Sequence, residues 1–337
     1  MTRSQEEIDK FLDDQITKSE NAIDKMFARR LKEILSQLMK MYAKYGNGEE
    51  LTFTDLNRYG RFKTEMKLMV AGINEDYKQL QEDIEELMET QYLENFLRTA
   101  FVLEFAAQTE LGFGVPSLDT IKAAIVNPIE LLTLPVLMES NRNEIVRRLQ
   151  MDISQGLLAG EGYSKIAARI EKSVNFSKAK AKRVARTEGH RVQTTARMDS
   201  AKVAAEHANL TKMWMSGLDS RVRPAHRKLD GTVKAMDDIF VSTAGGRGQG
   251  PGVMWNASDD CNCRCTIVYL VNGMKPALRR ARNEEDPAYQ LKLAHRIEKY
   301  MNEGLTEKAA EKKAKKEILP PSLVIPYQTY EEWRKKL

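Results

Sequence analysis

Asp260-Cys261-Asn262-Cys263-Arg264-Cys265-Thr266-Ile267-Val268-Tyr269-Leu270-Val271 contains every cysteine of the 337-residue chain and runs into its clearest β-strand composition. Side chains alternate faces along an extended strand, so an extended 261–265 would align the three thiols and turn Arg264 the other way. Cα atoms two positions apart are roughly 6.5–7 Å distant, the outer limit for a disulfide. Three thiols in five positions are no distributed disulfide framework, and an odd clustered set fits synthesis in a reducing cytoplasm. One reading makes Cys263 and Cys265 small buried apolar residues on the inner face of a strand. The other joins Cys261, Cys263 and Cys265 to His226 as a Cys3His zinc site, although the C-x-C spacing is shorter than the C-x2-4-C usual for structural zinc.

Working outward, Met213-Trp214-Met215 supplies a second strand composition, and the glycines between the two mark loops. Gly245-Gly246-Arg247-Gly248-Gln249-Gly250-Pro251-Gly252 lacks the Gly-Lys-Ser/Thr ending of a phosphate loop and reads as a flexible linker. Upstream the pattern is helical. Over 5–45 apolar residues recur at helical spacing to the break at Gly46-Asn47-Gly48, and Thr54 offers a cap for a second block reaching about Gln108. A short helix over 119–126 follows Ser117, and another lies near 141–155. Ser164 caps a further helix, and Ser177 opens the longest one of the second half, to about His207. Gly189 inside it hints at close packing. From Pro287 a charged helix returns and continues through 308–316, stopped by Pro320-Pro321. The apolar tail 322–327 could dock on another surface. The fold class is therefore mainly α: a long helical N-terminal region (1–150), a smaller α+β domain with a short antiparallel sheet (151–275), and a charged helical tail (276–337).

Composition agrees, with 42% apolar, 30% charged and 7% aromatic residues, which suits amphipathic helices better than a β-sandwich. The net charge of +5 permits an anionic partner without requiring one. Lys178, Lys180, Lys182, Arg183 and Arg191 form a basic stripe that is either a solvated face or a candidate DNA contact. Glu188 lies on the core-facing stripe of the same helix and needs a partner, for which Arg221, Arg223 and Arg264 are candidates. Asp219, Asp230, Asp237, Asp238, Asp259 and Asp260 read as ordinary turn acids. The N-terminus carries acids where a signal peptide needs an apolar stretch, and no apolar run is long enough to span a bilayer, so no membrane association is expected.

In order and spacing, Ala185-Arg186-Thr187-Glu188, Trp214, Asp219…Arg223…His226…Leu229-Asp230-Gly231, Phe240 and Cys263-Arg264-Cys265 resemble the phage Mu F-like family of minor head (head morphogenesis) proteins. The likeness covers roughly residues 150–275, and Cys261 and the glycine-rich stretch read as local variation. The resemblance implies a low-copy virion component made in the bacterial host cytoplasm. It would sit inside the phage head with the portal protein and other head proteins (capsid and scaffold) as partners, and packaged double-stranded DNA nearby. Some relatives carry toxin or enzymatic domains after the shared region; the roughly sixty residues that follow it here are too few for one. No catalytic residue is carried over. Arg186, Glu188, Arg223, His226 and Arg264 form the candidate polar cluster, and no cofactor is expected unless zinc binds at the cysteines. The alternatives are an enzyme, a nuclease or nucleotide-dependent transferase using Glu188 and His226, and a zinc-stabilised interaction domain.

Overall fold

The structure is a computed structural model that describes residues 3–46, 51–219 and 221–335. Six helices make the first body: α1 (Arg3–Tyr45), α2 (Phe53–Asn57), α3 (Arg61–Ala107), α4 (Leu118–Ile125), α5 (Leu134–Leu158) and α6 (Tyr163–Ala205). Ile23, Phe27, Ile34 and Leu38 recur at intervals of four or seven positions along α1 and are all buried. They meet Ile73, Leu80 and Ile84 of α3, Ile145 and Leu149 of α5, and Ile170, Val174 and Ala181 of α6 in one core. Periodicity at 3.6 residues thus became one shared apolar interior. Charge enters it as well: Asp76 of α3 is buried and receives Arg30 Nε at 2.5 Å and Nη2 at 3.0 Å, opposite Gly72, whose missing side chain leaves room for the guanidinium.

Several helix boundaries differ from those expected. Thr52, not Thr54, caps α2, its hydroxyl accepting from the Asp55 amide at 3.1 Å. Gly162 rather than Ser164 precedes α6, and Ser177 does not open a helix: it is buried inside α6, which runs unbroken for 43 residues. Tertiary packing of both halves of α6 against α1, α3 and α5 overrides the local capping signal at Ser177. The break at Gly46-Asn47-Gly48 extends outside the described residues. The boundary drawn at 150 falls inside α5, and α6 contributes to the helical core along much of its length.

After α6 the chain builds a small sheet from β1 (Leu210–Met215), β2 (Val233–Ala235) and β5 (Thr266–Val271), in the order β2-β1-β5 and antiparallel throughout, with Met213 opposite Val268 and Trp214 opposite Ile267. One face carries Trp214, Ile267 and Tyr269 against Ala201 and Ala204 of α6 and Leu103 of α3. Between the strands lie α7 (Pro224–Leu229), the pair β3 (Phe240–Val241) and β4 (Arg247–Gly248), and α8 (Ala257–Asp260). The C-terminal segment is not helix alone. β6 (Leu278–Arg282) pairs antiparallel with β7 (Ser322–Pro326), so the apolar tail does dock, on a strand of its own chain. The helices α9 (Pro287–Asn302) and α10 (Glu307–Glu317) form the connection, and α11 (Tyr330–Arg334) ends the described chain. Among the described residues no helix is long and apolar enough to cross a membrane.

The glycine-rich stretch is not a linker. A side chain at Gly248 would lie 1.9 Å from the Val253 carbonyl, and Gly252, at φ 83°, lies against the His190 ring and leaves no space for a Cβ. These glycines are a close-packing requirement, which composition alone cannot separate from flexibility.

Candidate functional site

His226 is set by α7, which Pro224 starts at its first turn. Its ring packs edge-on to Trp214 of β1, centroids 5.1 Å apart, and Trp214 meets Phe240 at 5.4 Å. The Trp214 indole N–H donates to Ser216 Oγ at 3.2 Å, and that hydroxyl donates to the His226 carbonyl at 2.8 Å. The imidazole is therefore held on its backbone and on one face. Nε2 lies 3.0 Å from Asp259 Oδ1, and the same carboxylate receives Ser242 Oγ at 2.7 Å and the Gly246 amide at 3.0 Å. Asp259 has no exposed surface. A carboxylate so enclosed is satisfied only because three donors converge on it.

On the other side of the ring, Nδ1 lies 3.3 Å from Cys265 Sγ and 3.6 Å from Cys263 Sγ, both of them buried and not joined in a disulfide. The extended arrangement expected for 261–265 is absent. Cys261 closes α8, Asn262 takes a left-handed φ of 54°, and β5 begins only at Thr266. That turn separates Cys261, half-buried, from the other two thiols. Cys263 and Cys265 are buried, as the apolar reading expected, but they face a histidine. Burial opposes charge on His226, yet Cys265 and Asp259 outweigh it and raise its pKa above the ordinary value. Burial opposes ionisation of Cys265 as well, but Cys263 and His226 hold its thiol well below the ordinary range. Cys263, beside Cys265 and buried, is pushed well above it.

The loop is gripped from two elements. Arg223 donates to the carbonyls of Asp259, at 3.0 Å, and Cys261. From α6, Thr187 Oγ1 accepts from the Asn262 amide at 3.2 Å, and His190 Nε2 lies 2.7 Å from the Cys265 carbonyl. Burial lowers the pKa of His190, so the neutral ring donates from Nε2, leaving Nδ1 without a hydrogen-bond partner. His190 has no periodic or motif signal of its own. It sits next to Gly189, and only the folded loop makes it visible.

The expected polar cluster is divided. Arg186, Arg223, His226 and Arg264 line one recess of about 320 Å³ with Arg221 and Cys265. Glu188 is outside it: this buried carboxylate receives Arg191 Nε at 2.8 Å and lies 3.4 Å from Asn127 Nδ2. The pairing of Glu188 with Arg221, Arg223 or Arg264 is therefore corrected, because an arginine one turn away on α6 reaches it first. Arg264 lies beside Asp219 instead, with nitrogen–oxygen distances of 2.9 and 3.0 Å. Arg186 pairs with Glu20 of α1 at 2.7 Å. Glu188 and His226, the acid and base of the catalytic alternative, thus have separate partners.

Three acids assigned to ordinary turns are buried anchors. Besides Asp219 and Asp259, Asp230 receives Arg279 of β6 at 2.5 and 2.9 Å, the Ser216 amide at 2.7 Å and the Tyr330 amide at 2.7 Å. Their signal is faint in sequence because aspartate is common in exposed turns. The basic stripe is engaged too. Lys182 and Lys178 reach Asp24 at 2.8 and 3.8 Å, Lys180 pairs with Glu144, and Arg191 is buried on Glu188. Arg183 is exposed.

Comparison with known proteins adds a separate line of support. The profile of the family described as Phage Mu protein F like protein matches residues 147–268, the stretch that builds this site. Minor head protein GP7 of Bacillus phage SPP1 is 49% identical over 280 residues, which is 83% of this chain and 91% of that protein. NAD(+)--arginine ADP-ribosyltransferase EFV of Enterococcus faecalis is 26% identical over 263 residues, 78% of this chain but 53% of that protein. No solved structure matches significantly.

Proposed function

Because the chain belongs to the Phage Mu F-like family of minor head proteins, we propose that it acts by protein binding from the interior of a tailed-phage head, where it associates with the portal protein. It is a minor head protein, a virion component whose role is head morphogenesis. The structural observation that supports binding is an apolar stripe on α3 that is exposed among the described residues. Leu97, Phe101 and Phe105 follow one another at i, i+4, i+8, with the two phenylalanine rings stacked at 6.3 Å and Phe101 62% exposed. Val126, Ile129, Leu131 and Leu132, around and after the end of α4, are exposed as well. Apolar surface concentrated in this way is what another head protein can cover.

A binding role also agrees with the site. Glu188 and His226 each have structural partners, and the arginines of the recess are largely committed to Asp219, Glu20 and main-chain carbonyls. The enzymatic name of the Enterococcus relative belongs to a protein of which this chain spans about half. Contact with packaged DNA through Lys178, Lys180 or Lys182 has to compete with Asp24 and Glu144, so any such contact falls first to Arg183.

Co-expression with portal protein tests the proposal. The wild-type chain is expected to co-purify with portal rings, and Phe101→Glu with Phe105→Glu to reduce recovery at least about tenfold, the equivalent of ~1.4 kcal/mol. Wild-type protein absent from portal complexes and from procapsids would remove the portal-associated interior role.

A further inference from the structure

His226, Cys263 and Cys265 present a chemistry that minor-head binding does not use. The Asp259 carboxylate is already the acceptor for Ser242 and Gly246, so the hydrogen it shares with the ring sits on Nε2. In the neutral ring this leaves the Nδ1 lone pair directed at two sulfurs. The three potential ligand atoms lie within 4.8 Å of one another, and all three residues are buried. Zinc–sulfur bonds of about 2.3 Å and zinc–nitrogen bonds of about 2.0 Å set the corners of a tetrahedron roughly 3.5–3.8 Å apart. The two nitrogen–sulfur separations, 3.3 and 3.6 Å, already approximate those edges.

We propose that His226 Nδ1, Cys263 Sγ and Cys265 Sγ bind a zinc-class divalent cation, with water from the adjoining recess as the fourth ligand. Binding deprotonates the thiols and requires Nδ1 free of hydrogen, so the protons leave to solvent as the metal enters. The surroundings have the form that metal-bound histidines require. Asp259 holds the second ring nitrogen and is itself fixed by two further donors, which sets ring orientation and tautomer. His190 and Arg223 fix the carbonyls of Cys265 and Cys261, so the chain carrying both thiols is braced before any ion arrives. The recess reaches His226 and Cys265 and provides an entry path. Cys261 is excluded from the ligand set by the left-handed turn at Asn262. The Cys3His set therefore gives way to Cys2His plus water.

Elemental analysis of the full chain, purified without chelator and then exposed to zinc and desalted, tests this. About one equivalent is expected in the wild type and in Cys261→Ser, and less than about a tenth in Cys263→Ser. If Cys263→Ser fails to fold, cobalt(II) substitution of the wild type decides: thiolate-to-cobalt charge transfer with tetrahedral d–d bands is expected. Less than about a tenth of an equivalent of zinc in the wild type overturns the proposal. A cobalt spectrum without thiolate charge transfer, or zinc lost in Cys261→Ser, overturns it too. Portal co-purification is read separately, so the two proposals fail independently.

Discussion

Asp230 and Arg279 form an ion pair in which both side chains are almost completely buried, joining the loop after α7 to β6. Removing one partner leaves the other as an uncompensated buried charge, which costs about 3–5 kcal/mol. Asp230→Ala is therefore expected to lower the urea midpoint sharply, with fluorescence of the tryptophans as the readout. Replacing both residues with apolar ones of similar volume is expected to recover most of the loss. A different signature belongs to Lys212, buried on β1, where its ammonium donates to Gln249. Burial lowers its pKa to about 8 against 10.5 for the free side chain, with Asp237 and Asp238 opposing. Between those values the unfolded chain binds more protons than the folded one, so this residue makes stability rise with pH across the window. Denaturation midpoints of wild type and Lys212→Met, compared between about pH 8 and pH 10, should show that rise only in the wild type.

The elements are held by how closely helices approach. Gly189 of α6 faces α1 and α3, and a methyl group there would lie 3.8 Å from Ile16 and 3.9 Å from Leu87, ordinary contact distances. Gly189→Ala is thus expected to stabilise the helix by about 0.5–1 kcal/mol, measured by chemical denaturation. Gly156 of α5 is the opposite case, since a Cβ would lie 2.5 Å from Ile166 Cγ1. Gly156→Ala is expected to destabilise by about 1–3 kcal/mol through overpacking of the α5–α6 contact. In sequence Gly189 falls inside a helical pattern whereas Gly156 reads as a loop glycine after the helix near 141–155, yet the structure places both inside helices. What separates them is the distance to a neighbouring helix.

Across the whole molecule, α6 links the two chemistries of the chain. Its basic residues anchor it to Asp24, Glu20 and Glu144 of α1 and α5, while Thr187 and His190 brace the cysteine loop. Charge reversal at Lys180, Lys182 and Arg183 together should therefore lower the thermal midpoint, because two of the three replacements oppose an existing acid. The log–log salt slope of DNA binding should change by no more than about one contact, that of Arg183. A larger change would mean that the stripe leaves its acids to meet phosphate.

The sequence by itself determined the helical character of the first two hundred residues, the strands at Met213–Met215 and Thr266–Val271, and the family. Each rests on local signals: 3.6-residue apolar spacing, β-branched runs, and motif order along one chain. It also located the right loop, since three thiols near one histidine-bearing segment are visible without coordinates. Only the tertiary structure decided which of those groups meet. The turn at Asn262 removes Cys261, Asp259 rather than Glu188 orients His226, and Asp219 rather than Glu188 takes Arg264. The physical reason is that charge pairing and metal-type geometry depend on separations of a few ångströms between residues far apart in sequence, 166 positions for Arg186 and Glu20. Side-chain spacing along a helix or strand fixes direction, but such distances are set by how the helices and the small sheet pack.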